Sequence, residues 1–149
     1  MVRYGVIVLM NQDTIMQTSE KLSSVSKFMP WLGTGLTGLV VLFMVFDGVT
    51  KVIKLKPVME ACQKMNISPV MAVGIGILLL ACTGLYVTPK TAILGAILLT
   101  GYLGGAAAAH VIARSGAFPT AFAIGFGVLV WAGLVLREPR LARWIILRE

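Results

Sequence analysis

The sequence predicts an all-α fold, an antiparallel bundle of four transmembrane helices with a short interfacial helix between spans one and two. Of its 149 residues, 58% are apolar and only 13% charged, against about 45–50% and about 25% in an ordinary soluble domain. A chain this small cannot hide so much apolar surface from water. Four spans of about 20 residues each account for it. The apolar residues also fall into four long runs separated by turn-forming and charged residues. The composition excludes a disordered chain, a disulfide scaffold and a multidomain enzyme.

Residues 1–27 are the least apolar part. A short apolar run, Val6–Met10, is followed by a polar stretch with Asp13, Glu20, Lys21 and several Ser and Thr. The run is shorter than a signal-peptide core, and no small-residue cleavage site follows it. These residues read as a cytoplasmic arm, with Met1 or Met16 as the translation start. Residues 28–149 read as the membrane domain.

The first span is expected over about residues 31–53, opened by Pro30 and Trp31 and free of charge until Asp47 and Lys51. Proline suits a first helical turn and tryptophan the membrane interface. The second span, 69–86, carries no charge. The third, 91–112, carries His110 near its end, and the fourth, 117–136, is stopped by Arg137. Thr88-Pro89-Lys90 and Arg114-Ser115-Gly116 are turns short enough to make neighbouring spans antiparallel. Between spans one and two, Val58, Met59, Cys62 and Met65 share one helical face opposite Glu60, Gln63 and Lys64. That pattern predicts an interfacial helix starting at Pro57. Arg137, Arg140, Arg143 and Arg148, interleaved with Leu141, Trp144, Ile145 and Leu147, predict a second surface-lying segment at the C-terminus.

The net charge is +7. The basic residues sit at the ends of apolar runs, so they read as topology signals and headgroup contacts rather than a nucleic-acid surface. An even number of spans puts both termini on one side. Arg3, Lys21, Lys27, Lys90, Arg137, Arg140, Arg143 and Arg148 fall on that side, and Lys51, Lys54, Lys56, Lys64 and Arg114 on the other. Eight against five favours both termini in the cytoplasm.

Small residues are expected to pack the helices, since lipid offers no hydrophobic drive for association. Gly101 and Gly105 form a GxxxG on span three, with Gly104 beside them. Gly33, Gly35 and Gly38 provide a similar surface on span one, Gly74 and Gly76 on span two, and Gly125, Gly127 and Gly133 on span four. Packing within the bundle is the expected use; a homo-oligomer face is the alternative.

Ionisable groups within spans are costly and mark function by default. Asp47 and Lys51 sit one helical turn apart and can pair. Spans one and three run the same way, so Asp47 and Lys51 should reach the same outer membrane face as His110 and Arg114. Glu60 and Lys64 of the interfacial helix join them. The plainer readings are a helix-end ion pair and an interfacial histidine; the functional one is a shared polar cluster that handles protons or binds a headgroup. Tyr102 lies about 12 Å from His110 by helix rise. With Thr100 it could line a cleft between helices. One histidine and two separated cysteines do not make a metal site. No nucleophile triad or phosphate loop is present, and Cys62 and Cys82 should lie too far apart in depth to pair.

The stretch Tyr86–Arg114, YVTPKTAILGAILLTGYLGGAAAAHVIAR, resembles the DoxX-like family of small four-helix bacterial membrane proteins. The matching parts are TPKTA at Thr88–Ala92, LGAILLTGYLGGA at Leu94–Ala106, and His110. Phe46-Asp47-Gly48 with Lys51 resembles the family's end of helix one, and LREPRL at Leu136–Leu141 its exit from helix four. The resemblance covers about residues 28–145. It implies an integral protein of the bacterial inner membrane, acting as a non-enzymatic accessory or small-ligand-binding subunit with no cofactor of its own. A membrane subunit of a quinone-linked oxidoreductase in sulfur or oxidative-stress metabolism is the second reading, with quinone at the polar cluster. The expected partners are the lipid bilayer and a membrane or periplasmic protein, with no nucleic acid. Where related members carry an acid within helix two, this chain reads LLLAC, with Leu79 in its place.

Overall fold

The computed structural model describes residue 29 and residues 31–137. The expected N-terminal arm and the C-terminal surface segment beyond Arg137 lie outside the described residues. Helix α1 runs over Trp31–Val52. It is followed by α2 (Lys56–Lys64), α3 (Pro69–Val87), α4 (Ala92–Ile112) and α5 (Ala117–Arg137). Among the described residues there is no strand. The expected spans match α1, α3, α4 and α5 to within a residue or two, and α2 is the expected interfacial helix.

The long helices have 19 to 22 residues and mean hydropathy of 1.7 to 2.3. At 1.5 Å per residue each can cross a hydrocarbon core of about 30 Å. Their outward faces are as apolar as their inward ones. On α1 the buried positions are Gly33, Thr37, Val40, Met44, Gly48 and Thr50, while Leu39, Leu42, Val45, Phe46 and Val49 are exposed. Such a surface suits lipid and would be a liability in water. The chain is a multi-pass membrane protein, and its four crossings put Trp31 and Arg137 on the same side.

Local signals set the helix ends. Ser68 caps α3, its hydroxyl accepting from the Met71 N–H at 3.3 Å, with Pro69 in the first turn. Pro57 plays the same first-turn role in α2. Lys54 and Asn66 flank α2 with left-handed φ values of 55° and 59°, so the chain turns sharply into and out of it. Its buried residue is Cys62, with Val58, Met59 and Met65 half-buried and Glu60, Gln63 and Lys64 exposed. Inside the spans, Thr50, Thr83 and Thr100 each donate to a carbonyl three or four residues earlier, which satisfies the hydroxyls without a partner helix.

The core runs along the bundle axis through Val40, Met44, Leu79, Cys82, Tyr86, Ala96, Leu99, Leu103, Val130 and Leu134. Tyr86 is its largest fully buried side chain, and its hydroxyl donates to the Val130 carbonyl at 2.8 Å. Around it the helices approach closely. A Cβ on Gly95 would stand 2.2 Å from the Tyr86 nitrogen, one on Gly133 2.9 Å from Thr37 Oγ1, and one on Gly33 2.5 Å from the Arg137 nitrogen. Gly76 meets the Gly48 carbonyl in the same way, which locks α1 against α3.

The glycines of α4 depart from expectation. Among the described residues, nothing lies within 4 Å of a Cβ built on Gly101, Gly104 or Gly105. The GxxxG therefore packs against no helix among the described residues. The same holds for Gly35, Gly38, Gly74 and Gly125. The physical reason is helix rotation: Leu99, Leu103 and Ala107 turn into the core and carry these glycines away from it. Gly101 and Gly105 instead form one wall of a cavity.

Candidate functional site

The cavity holds about 610 Å³, between α1, α4 and α5 at the end of the bundle covered by α2. It arises because α4 offers Gly101, Gly105, Ala106 and Ala109 where larger side chains would fill the space. Its opposite wall is aromatic. Phe43 of α1 sits 4.4 Å from Phe126 and 5.3 Å from Phe122, ring centre to ring centre, and Phe122 is 4.7 Å from Phe126 and 6.0 Å from Phe118. These separations are those of favourable aromatic pairs. The residues of α2 and its exit, Cys62, Met65 and Ile67, form the roof.

One polar group sits in this apolar chamber. The Lys51 ammonium is paired with the Asp47 carboxylate one turn below it. The other carboxylate oxygen of Asp47 accepts from the Tyr102 hydroxyl at 3.2 Å, across from α4. The side chains are largely sequestered, Lys51 at 13% and Asp47 at 29% exposure. Two donors on one carboxylate neutralise its charge and hold it fixed, as a charge within a membrane requires. Thr50 donates to the Asp47 carbonyl at 2.9 Å, tying the same turn together. His110 lines the cavity too, and its Nδ1 is buried without a hydrogen-bond partner among the described residues.

Of the residues singled out from sequence, Asp47, Lys51, Tyr102 and His110 line this one chamber, as do Gly101 and Gly105. The others lie apart. Glu60 is on the exposed face of α2 and does not line the cavity. Arg114, in a left-handed turn with φ of 50°, is exposed and lines a second, shallower hollow of about 510 Å³ beside His110. Thr100 does not line the cavity either; its hydroxyl accepts from the Trp131 indole at 2.9 Å on the α4–α5 seam. Leu79 is fully buried in the core and outside the cavity.

Sequence reasoning missed the aromatic wall. Phe118, Phe122 and Phe126 recur every four residues, so the signal for one shared face was present. Cys62 was placed on the apolar face of α2 but not at a site. Burial pushes its thiol above the ordinary range, Lys51 pulls it down by less, and Asp47 adds a little in the upward direction. Cys62 and Cys82 are both free. Among the described residues, no three of His, Cys, Asp and Glu cluster as a metal site would need.

No curated protein and no solved structure matches the chain. The sequence profile of the DoxX-like family does match, over residues 35–133, which takes in most of α1, all of α2, α3 and α4, and the greater part of α5. The match includes every residue of the polar group and all four phenylalanines of the aromatic wall. This four-span membrane chain belongs to the DoxX-like family.

Proposed function

We propose that the chain is a non-enzymatic membrane subunit that binds a small amphiphile in the chamber between α1, α4 and α5. The observation that carries this is the layered lining. Phenylalanines and small residues form an apolar body, and Lys51, Asp47, Tyr102 and His110 supply a few convergent polar groups. A volume of about 610 Å³ falls in the usual range of about 300–1,000 Å³ for a small-molecule site, and such sites combine an apolar lining with few polar groups. An accessory role fits a polar group whose carboxylate is held by two donors, the Lys51 ammonium and the Tyr102 hydroxyl. The test uses the full chain in a nonionic detergent, titrated with the apolar fluorophore N-phenyl-1-naphthylamine. Saturable binding at one per chain, lost in Gly105→Phe while thermal stability is kept, is the expected result. Micelle-like, unsaturable uptake that is identical in the two proteins overturns it.

A second reading makes the chain the membrane subunit of a quinone-linked oxidoreductase. Tyr102 and His110 support it, since hydroxyl and imidazole groups can both hydrogen-bond a quinone oxygen. A quinone absorbance in detergent extracts of the purified protein supports this reading; its absence from protein purified out of quinone-replete membranes counts against it. The setting we propose is the bacterial inner membrane, with both termini cytoplasmic and a membrane or periplasmic protein, or a second copy, as partner. The excess of basic residues on the side of the termini supports that orientation.

A further inference from the structure

We infer that the ligand of this chamber is a single-chain amphiphile with an anionic head, a carboxylate or a phosphate. The inference rests on the amphiphile reading above and adds the charge and direction of the head.

Direction comes from the order of groups along three helices. Lys51 lies one residue from the end of α1, His110 two residues from the end of α4, and Phe118 one residue past the start of α5, all at the α2 end. Phe43, Gly101 and Phe126 lie eight or nine residues deeper, about 12–14 Å by helix rise. The charged pair and His110 thus lie toward the membrane surface, beside Phe118 and the α2 roof, and the deeper part is apolar apart from Tyr102, whose hydroxyl is held by Asp47. A lipid-soluble amphiphile in the adjoining leaflet has the same order, with its head at the interface and its chain inward. Gly101 and Gly105 on one wall are exposed, as are Phe118 and Phe122 on the other, so the chamber borders lipid between them. The volume suits one chain.

Charge comes from what the head would meet. The Asp47 carboxylate already accepts from the Lys51 ammonium and the Tyr102 hydroxyl. Lys51 stands a turn nearer the surface than Asp47, and although its side chain is the less exposed of the two, 13% against 29%, it is the cation of the pair. Beyond it, Lys54, Lys56, Lys64 and Arg114 are all exposed at the same end, and the acid among them is Glu60. None of these lines the chamber, but together they make the membrane surface at its α2 end positive, which favours the approach of an anion. His110 Nδ1, buried and unpartnered, adds one further polar contact.

The test measures equilibrium binding of oleate, lysophosphatidate, oleyl alcohol and oleylamine to the full chain in nonionic detergent at low salt. Oleate or lysophosphatidate should bind at one per chain at least tenfold tighter than the alcohol, and the tighter of the two identifies a free acid or a lipid phosphate as the source. The doubly neutral variant Asp47→Asn with Lys51→Gln should lower the ratio of acid to alcohol affinity at least fivefold. Equal affinities for acid and alcohol, or a preference for the amine, overturn the anionic head and leave the amphiphile site standing. Failure of all four to bind overturns both.

Discussion

The Tyr86 core and the chamber use the same residue type for opposite purposes. At the α3–α4 turn, glycine removes a side chain so that another helix can fill the space. Gly95 lies against the Tyr86 backbone, Gly133 against Thr37 and the Tyr86 hydroxyl, and Gly33 against the end of α5. On the chamber wall, Gly101 and Gly105 remove side chains and no described residue takes their place, although Gly48 and Gly76 still pack α1 against α3 nearby. One region is closed around a fully buried tyrosine, and the other encloses about 610 Å³. Small residues in a membrane helix are therefore a permission, and the rotation of the helix decides whether the permission is used for packing or for volume.

Alanine substitution separates these two uses most sharply. At Gly95 a Cβ would meet backbone atoms of Tyr86 at 2.2 and 2.4 Å, which no rotamer change relieves. Gly95→Ala should cost about 3 kcal/mol, the upper end of ordinary overpacking, or prevent assembly of the bundle. Gly105→Ala meets nothing. It should leave stability unchanged or raise it by up to about 1 kcal/mol, through the lower backbone entropy of alanine. Denaturation in mixed detergent micelles reads both. Equal losses at the two positions would mean that the α2 end is packed after all.

The polar group at the open end comes next in size. A charge at the centre of a spanning helix costs about 2.5–3.5 kcal/mol and less toward the interface. Asp47→Asn leaves Lys51 unpaired and should destabilise by about 1–2 kcal/mol on that scale. Asp47→Asn combined with Lys51→Met removes both charges and should recover much of the loss. Additive losses would show that the pair contributes nothing jointly. Tyr102→Phe in the double variant should then cost little, since its hydroxyl has lost the charged acceptor that now holds it.

The contrast between the ends also shows where sequence reading stops in a membrane. Span limits were legible to within one or two residues, because a run either is or is not long and apolar enough to cross. The amphipathic α2 was legible because it has a wet side, with Glu60, Gln63 and Lys64 on it. The meeting of Asp47 and Lys51 followed from their spacing. Helix rotation was not legible. The lipid-facing Leu39, Leu42 and Val49 are as apolar as the buried Val40 and Met44, so no periodic contrast tells the inward face from the outward one. For that reason the Gly101–Gly105 motif was assigned to packing, and the bond between Tyr102 and Asp47, 55 residues apart in sequence, went unseen.

At the closed end, Tyr86→Phe tests a single hydrogen bond. The hydroxyl donates to the Val130 carbonyl at 2.8 Å. Hydrogen bonds between membrane helices average about 0.6 kcal/mol and reach about 1.7. The ring would remain, stacked under the Arg137 guanidinium at 5.6 Å. The loss should fall near that average, well below the cost of Gly95→Ala, and the mixed-micelle denaturation above measures it. A loss as large as that of Gly95→Ala would show that the hydroxyl, rather than the fit of backbones, closes this end.

The smallest effect concerns how wet the open end is. Cys62 lines the chamber from above, yet only 4% of it is exposed. Burial raises its thiol pKa, and the nearby Lys51 offsets only part of that. A raised value means the fold favours the neutral thiol. Its contribution to stability is present below the unfolded-state pKa and fades as pH rises through the folded one. Alkylation by a small maleimide requires the thiolate. Its rate at Cys62 should therefore stay low at neutral pH and climb only at a higher pH than for the same residue in denaturant. Lys51→Met should move that midpoint further up, since it removes the cation that lowers it. Asp47→Asn should move it slightly down. A midpoint that matches the denatured protein would mean water reaches the thiol freely, and the roof of the chamber would then be open where the structure has it closed.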